Sequence, residues 1–284
     1  MSALPQEPQA VQRDHAWIER EYNQEKYPVI LTAAQDVLQR KETNLARAVG
    51  QVIEAERGLI PVTAQRSFVA GGSDHTLPTA MGSFGVSGVT TNAIATSCSP
   101  DTDVVVELGA GWGRNLFLTY LSGAAQKTTQ YFSLEFAETA RQATSLLARL
   151  DHDLKISPVA FDYHAPDYGA VPTGDAPTTL VTVHSVEQIP TLKEEVITDF
   201  LARRPNTVGV HFEPIGWQLP SDRLQGITPR SSPAYAAQHD YSRNFWQVLS
   251  SLQDQGIIKV TDVMPDFIGQ NPLNPATFIR WQST

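Results

Sequence analysis

The stretch "VVVELGAGWGRN", residues 104–115, sets three valines against three glycines at alternate positions, with one carboxylate, Glu107, at the joint. A run of Val is β-prone and apolar on both faces, so it predicts an interior strand of a sheet covered on both sides. The next segment, "WGRNLFLTYLSGAA", places Leu116, Phe117, Tyr120, Leu121 and Ala124 on one helical face. Gly109, Gly111 and Gly113 therefore fall on a strand-to-helix turn, where a missing Cβ lets backbone approach a ligand. In open α/β sheets, ligands bind at such turns.

The dinucleotide fingerprint is G-x-G-x-x-G, which sets a pyrophosphate on a helix N-terminus. Here the spacing is Gly109-x-Gly111-x-Gly113, and position 114 is Arg. An acid inside the motif would repel a pyrophosphate and favour a cation. The pattern E-x-G-x-G-x-G resembles motif I of the class I S-adenosylmethionine (SAM)-dependent methyltransferases. The resemblance implies that Glu107, Gly109, Ala110, Gly111 and Gly113 hold the amino-acid end of SAM, which carries an ammonium and a sulfonium. An ordinary tight turn is the other reading of these glycines.

From residue 103 onward, strands and helices alternate, with strands expected at 103–108, 130–135, 156–161, 179–184 and 207–213 and a closing strand pair through "GIIKVTDVMPDFIG" and "ATFIRWQS". The expected fold is α/β: a Rossmann-like, seven-stranded, mostly parallel sheet flanked by helices, its last strand antiparallel, with an N-terminal helical cap. We divide the chain into a disordered tail (1–10), a helical cap with a substrate loop (11–100) and a SAM-binding domain (101–284) with a cap insert at about 214–240. Two or three helices are expected in 11–57, broken near Pro28 and Gly50, and an ordered loop over 68–88.

Strand two ends in Glu135, 28 residues after Glu107. A carboxylate there can accept both hydroxyl hydrogens of a ribose, the role the resemblance also implies; a surface acid at a helix N-terminus is the alternative. Strand three ends "VAFDYHAPDY". The resemblance implies that Asp162 bonds the adenine amino group and that Tyr163 packs on the ring. Strand four leads into Val186-Glu187-Gln188-Ile189, similar to the post-strand-four segment of small-molecule methyltransferases of the ubiquinone-biosynthesis type. Gln188 stands where a His is usual there, leaving His184 and His211 as the nearby bases. The Asn-Pro-Pro-Tyr pattern of amide and adenine N-methyltransferases is absent.

The function expected is SAM-dependent methyl transfer to an O or N atom of a small polar metabolite or short peptide. His184, also placed at the cofactor, is the candidate general base because an ordinary imidazole titrates near neutrality. Glu213 is its competitor. Substrate contacts are expected from Tyr22, Tyr27, Asp74, His75, Glu187, Tyr241 and Asn244, each also compatible with packing or a surface position. No metal is expected: "DHD" (151–153) and "DYHAPD" (162–167) read as solvated loops. The rivals are a non-catalytic cofactor-binding module of the same fold and an NAD-dependent oxidoreductase.

Among 284 residues, 21 Lys and Arg face 30 Asp and Glu, a net charge of -9. Without a basic stripe this argues against a nucleic-acid partner. The lone Cys98 excludes an internal disulfide framework and any multi-cysteine zinc site. No window reaches a membrane span and "MSALPQEPQAVQRDH" has no apolar core, so a cytoplasmic protein is expected. The sequence leaves the oligomeric state open, a homodimer among the options.

Overall fold

The computed structural model describes residues 13–58, 64–123 and 129–284; the tail expected over 1–10 and the helical position of Ala124 lie outside them. Among the described residues nine strands form one sheet: β1 (Gln65–Ala70), β2 (Ser73–Pro78), β3 (Val104–Leu108), β4 (Gln130–Glu135), β5 (Lys155–Ala160), β6 (Thr178–Val183), β7 (Thr207–Glu213), β8 (Ile258–Gly269) and β9 (Ala276–Ser283). Their order is β2-β1-β8-β9-β7-β6-β3-β4-β5. The pairs β3·β4, β3·β6, β4·β5 and β6·β7 are parallel. The last strand, β9, runs antiparallel to both β7 and β8, and the β1–β2 hairpin adds two more antiparallel pairings at the β8 edge. The sheet is thus larger and less parallel than the seven-stranded expectation.

That hairpin corrects the expected 68–88 loop. Gly71 and Gly72 take φ of 56° and 75°, the left-handed pair that a two-residue hairpin turn demands. After Pro78 the chain enters helix α4 (Thr79–Ser97). A short helix α1 (His15–Ile18), capped by Asp14, and a π-helical segment Glu19–Lys26 lead into α2 (Tyr27–Gln39). Pro28 sits in the first turn of α2, where its missing N–H has no helical partner to lose. The break expected at Gly50 does not occur: α3 (Leu45–Arg57), capped by Asn44, runs through it. Burial of Ala48, Val49 and Val52 outweighs the roughly 1 kcal/mol that an interior glycine costs.

The alternation within β3 shows why its run of Val is needed. Val104, Val106 and Leu108 join a core containing Phe200, Phe245 and Trp281, whereas Val105 joins one containing Ile30, Val49, Phe117 and Leu147. Both sheet faces are therefore covered, and α2 and α3 are part of the second core. Helices α5 (Arg114–Leu121), α6 (Glu138–Ala148), α7 (Glu195–Arg203), α8 (Pro233–Gln238) and α9 (Phe245–Asp254) follow, with short 3-10 turns at Val186–Gln188, Gly216–Gln218 and Ser221–Arg223. Among the described residues, no helix is long and apolar enough to cross a membrane.

Candidate functional site

The C-terminal ends of β3, β4, β5 and β6 open on a cleft of about 280 Å³ roofed by the N-terminal helices. The glycine turn forms its floor. Gly109 and Gly111 have φ of 64° and 55°, and a Cβ on either would lie 2.4 Å from Ser185 Cβ or 2.7 Å from the Tyr27 hydroxyl. Both positions thus need glycine for conformation and for space. Gly113, at φ 75°, caps α5 and lies behind the cleft wall. The Ser185 hydroxyl donates to the Leu108 carbonyl at 2.8 Å, tying the segment after β6 to the turn.

Glu135 clasps this turn. Its Oε2 accepts from Gly111 N–H at 2.7 Å and its Oε1 from Ala137 N–H at 2.8 Å. Burial pushes its pKa up, against the pull of those two donors. Glu107 is less well served. Its Oε1 accepts from Asn115 Nδ2 at 2.6 Å, while Oε2 is buried without a partner among the described residues. Burial raises this carboxyl to about 8, with the Asn115 bond opposing and the charge of Glu135 adding to the rise. An orphaned acceptor of this kind costs stability unless a donor or cation reaches it.

The cleft gathers much of the sequence-predicted set. Tyr22 and Tyr27 line the roof; Glu107, Gly109, Ala110 and Gly111 the floor; Glu135, Asp162, Tyr163 and His184 the remaining walls. Asp162 Oδ1 accepts from His164 N–H at 2.8 Å, and Oδ2 lies 3.0 Å from His15 Nε2. Tyr163 is buried, its hydroxyl 2.9 Å from Ser185 Oγ. His184, in a left-handed conformation at φ 52°, has Nδ1 3.4 Å from Glu187 Oε2. Burial works to lower its pKa, but the Glu187 charge and hydrogen bond outweigh this and raise it.

Other predicted residues lie elsewhere. Glu213 is fully buried, accepts N–H bonds from Ser185, Val186 and Glu187 at 3.2, 3.2 and 3.1 Å, and is pushed up to about 7 chiefly by burial. It holds the turn that presents His184 and does not line the cleft. Glu187 is likewise buried, accepting from Gln188 Nε2 at 2.8 Å and Asn274 Nδ2 at 3.1 Å. Asn244 clasps the backbone N–H and carbonyl of Leu192, both at 2.8 Å. Tyr241 packs against the Arg13 guanidinium, 4.8 Å away. Asp74, on β2, pairs with Arg230 at 2.8 Å, and neighbouring His75 is exposed on the same hairpin strand. His211 is spent structurally: Trp281 Nε1 donates to its Nε2 at 2.7 Å, Nδ1 lies 2.9 Å from Thr182 Oγ1, and burial lowers it to about 3.

The structure adds residues that motif spacing does not single out. Asn115 and Arg114 enter from the first turn of α5, Arg114 paired with Glu56 at 3.3 Å and its buried Nε without a partner among the described residues. Lys26 stands 4.8 Å from the Tyr22 ring. His15 joins Asp162 and His164 in a group whose ligand atoms lie within 4.8 Å of one another, a set able to hold a cation. In "DHD", Asp151 instead accepts from Tyr120 at 2.9 Å and from Asp153 N–H at 2.9 Å.

No family model and no curated protein matches this chain. Solved structures do. A SAM-dependent methyltransferase from Aquifex aeolicus matches with a TM-score of 0.44 and 11% identity, over 68% of this chain and 89% of that one. Fibrillarin from Aeropyrum pernix with natively bound SAM matches with 0.44 and 14%, over 79% and 84%. The mitomycin 7-O-methyltransferase MmcR matches with 0.43 and 12%, over 95% and 70%. With TM-scores below 0.5, the functional assignment rests on this chain's own cleft.

Proposed function

We propose that this chain is a SAM-dependent methyltransferase acting on an O or N atom of a small polar metabolite or short peptide. The observation that carries the proposal is the Oε2 of Glu107, without a partner among the described residues and buried at the end of β3 beside two glycines that admit no side chain. A buried acid in want of a positive partner fits the cationic amino-acid end of SAM and disfavours the pyrophosphate of NAD. Glu107 and the 109–111 backbone would hold the methionine end. Glu135, Asp162 and Tyr163 line the part of the cleft suited to the ribose and adenine.

Bound SAM supplies a methyl group already activated by its sulfonium. The protein's remaining tasks are alignment and removal of a proton. His184 is the cleft residue suited to the second. Glu187 holds Nδ1, and Nε2 has no partner among the described residues. Such a pair fixes the imidazole's orientation and leaves one nitrogen to accept a proton. This arrangement favours an enzyme over a non-catalytic module, which has no use for an oriented base. Incubating the protein and SAM with a panel of polar metabolites and short peptides should yield a product heavier by about 14 Da. Saturable SAM binding without any such product would favour the non-catalytic module.

A further inference from the structure

A second cavity of about 300 Å³ adjoins the cofactor cleft, and Arg114, Asn115, Val183 and His184 line both. Its far walls come from α4, through Val86, Ser87 and Thr90, and from the β8–β9 connection, through Gln270, Asn271 and Asn274. None of these six belongs to the cofactor machinery, and their chemistry is uniform: three carboxamides, two hydroxyls and one valine.

We propose that this cavity is the acceptor subsite and that it takes a neutral, hydroxyl-bearing ligand, a glycosyl ring or polyol; the proposal rests on the SAM reading of the adjoining cleft. Each charged residue on its walls already has one opposite partner. Arg114 pairs with Glu56 at 3.3 Å and gives a further hydrogen bond to Ser87 Oγ. His184 faces Glu187 at 3.4 Å. Among the described residues no carboxylate lines the cavity, so a cationic ligand would find no counter-ion, and an anionic one would have to compete with Glu56 for Arg114, whose unpaired Nε is buried.

Two of the carboxamides, Gln270 and Asn274, are held at one end and open at the other, whereas Asn271 is held at both, its Oδ1 accepting from Leu273 N–H at 3.0 Å. Gln270 Oε1 accepts from Ser83 at 3.3 Å, leaving the Nε2 donor without a partner among the described residues. Asn274 Nδ2 donates to Glu187 at 3.1 Å, leaving the Oδ1 acceptor. Asn271 Nδ2 donates to the Tyr235 hydroxyl at 3.0 Å, which braces the connection against α8. One free donor and one free acceptor match adjacent hydroxyls, each of which both donates and accepts. Val86 and Val183 offer apolar surface for the C–H faces of a ring. Through Asn274, the same wall also reaches Glu187 and hence the His184 base.

The test is a titration of the full-length, isotope-labelled protein followed through its side-chain amide resonances, with and without S-adenosylhomocysteine. Methyl α-D-glucopyranoside, methyl α-D-mannopyranoside and myo-inositol represent neutral polyols, glucuronate anions and choline cations. The expected result is saturable movement of the Gln270, Asn271 and Asn274 amides by at least one neutral polyol. Gln270→Leu and Asn274→Leu, made separately, should each weaken that ligand by about tenfold, with S-adenosylhomocysteine affinity changed by less than about twofold. Because Asn274 is buried, exposed Gln270 serves as the variant least able to disturb the fold. Tighter binding of choline or glucuronate at these amides, or no movement with any polyol at tens of millimolar, overturns the proposal. If polyols bind but S-adenosylhomocysteine does not, the cofactor reading falls instead.

Discussion

Replacing Glu107 by Gln removes a charge from a site where the structure makes that charge costly, so its consequences depend on pH in a calculable way. The carboxyl stands at about 8 in the free protein, mainly through burial. At pH 7 only about one molecule in ten carries the ionised form. SAM, with a sulfonium and an ammonium, should bind the ionised form and return the group toward its ordinary value of 4.5. Binding at pH 7 then releases close to one proton, and SAM affinity falls roughly tenfold per unit, about a hundredfold in all, from pH 7 to pH 5. Glu107→Gln should weaken SAM by roughly 3 kcal/mol at pH 7 and remove this slope. The same shift fixes the sign for stability. The raised folded-state pKa makes the free protein lose stability as pH rises from about 4.5 through about 8, so the variant should melt above the wild type at pH 8 and converge with it near pH 5. Calorimetric SAM titration in buffers of different ionisation enthalpy measures the proton release directly. Equal pH slopes for wild type and Glu107→Gln, with no proton released, would refute this reasoning.

Glu135→Ala leaves the Gly111 and Ala137 amides without their acceptor, and should cost about 1–3 kcal/mol in urea unfolding as well as weakening SAM. Gly111→Val forces a branched side chain against the Tyr27 hydroxyl at a left-handed φ, so SAM binding should be lost in calorimetry while far-ultraviolet circular dichroism persists. His184→Ala should lower turnover by roughly 100-fold with SAM affinity intact. Glu187→Gln removes the charge that raises His184, so the acid limb of the turnover profile should move to lower pH.

Features carried by local pattern are legible in the sequence. The valine strand and the three-glycine turn are legible, and Glu107 and Glu135 fall at the ends of β3 and β4 as expected, because strand burial and turn conformation depend on neighbouring residues. The β1–β2 hairpin was not legible. β2 is exposed along most of its length and lacks the apolar alternation that signals a strand, and its Gly-Gly turn is compatible with any loop. Helix α4 carries apolar and small residues around its whole circumference, Met81 and Phe84 exposed among them, so no periodic face marked it. Long-range pairings escaped for a different reason. Arg114 meets Glu56, and His15 meets Asp162, only because α3 and α1 fold back over the cleft. Glu213 shows the limit of counting strand ends. It closes β7 as expected, yet the three N–H groups after β6 reach it first.

Titration of the wild-type protein with SAM, S-adenosylhomocysteine, NAD and NADP tests the central claim most directly, namely that the acid-and-glycine cleft is built for SAM. The predicted result is saturable, one-to-one binding of SAM and S-adenosylhomocysteine, lost in Gly111→Val, with no binding of either nicotinamide cofactor. Binding of NAD or NADP in preference to SAM, or SAM binding that Gly111→Val leaves unchanged, would contradict it.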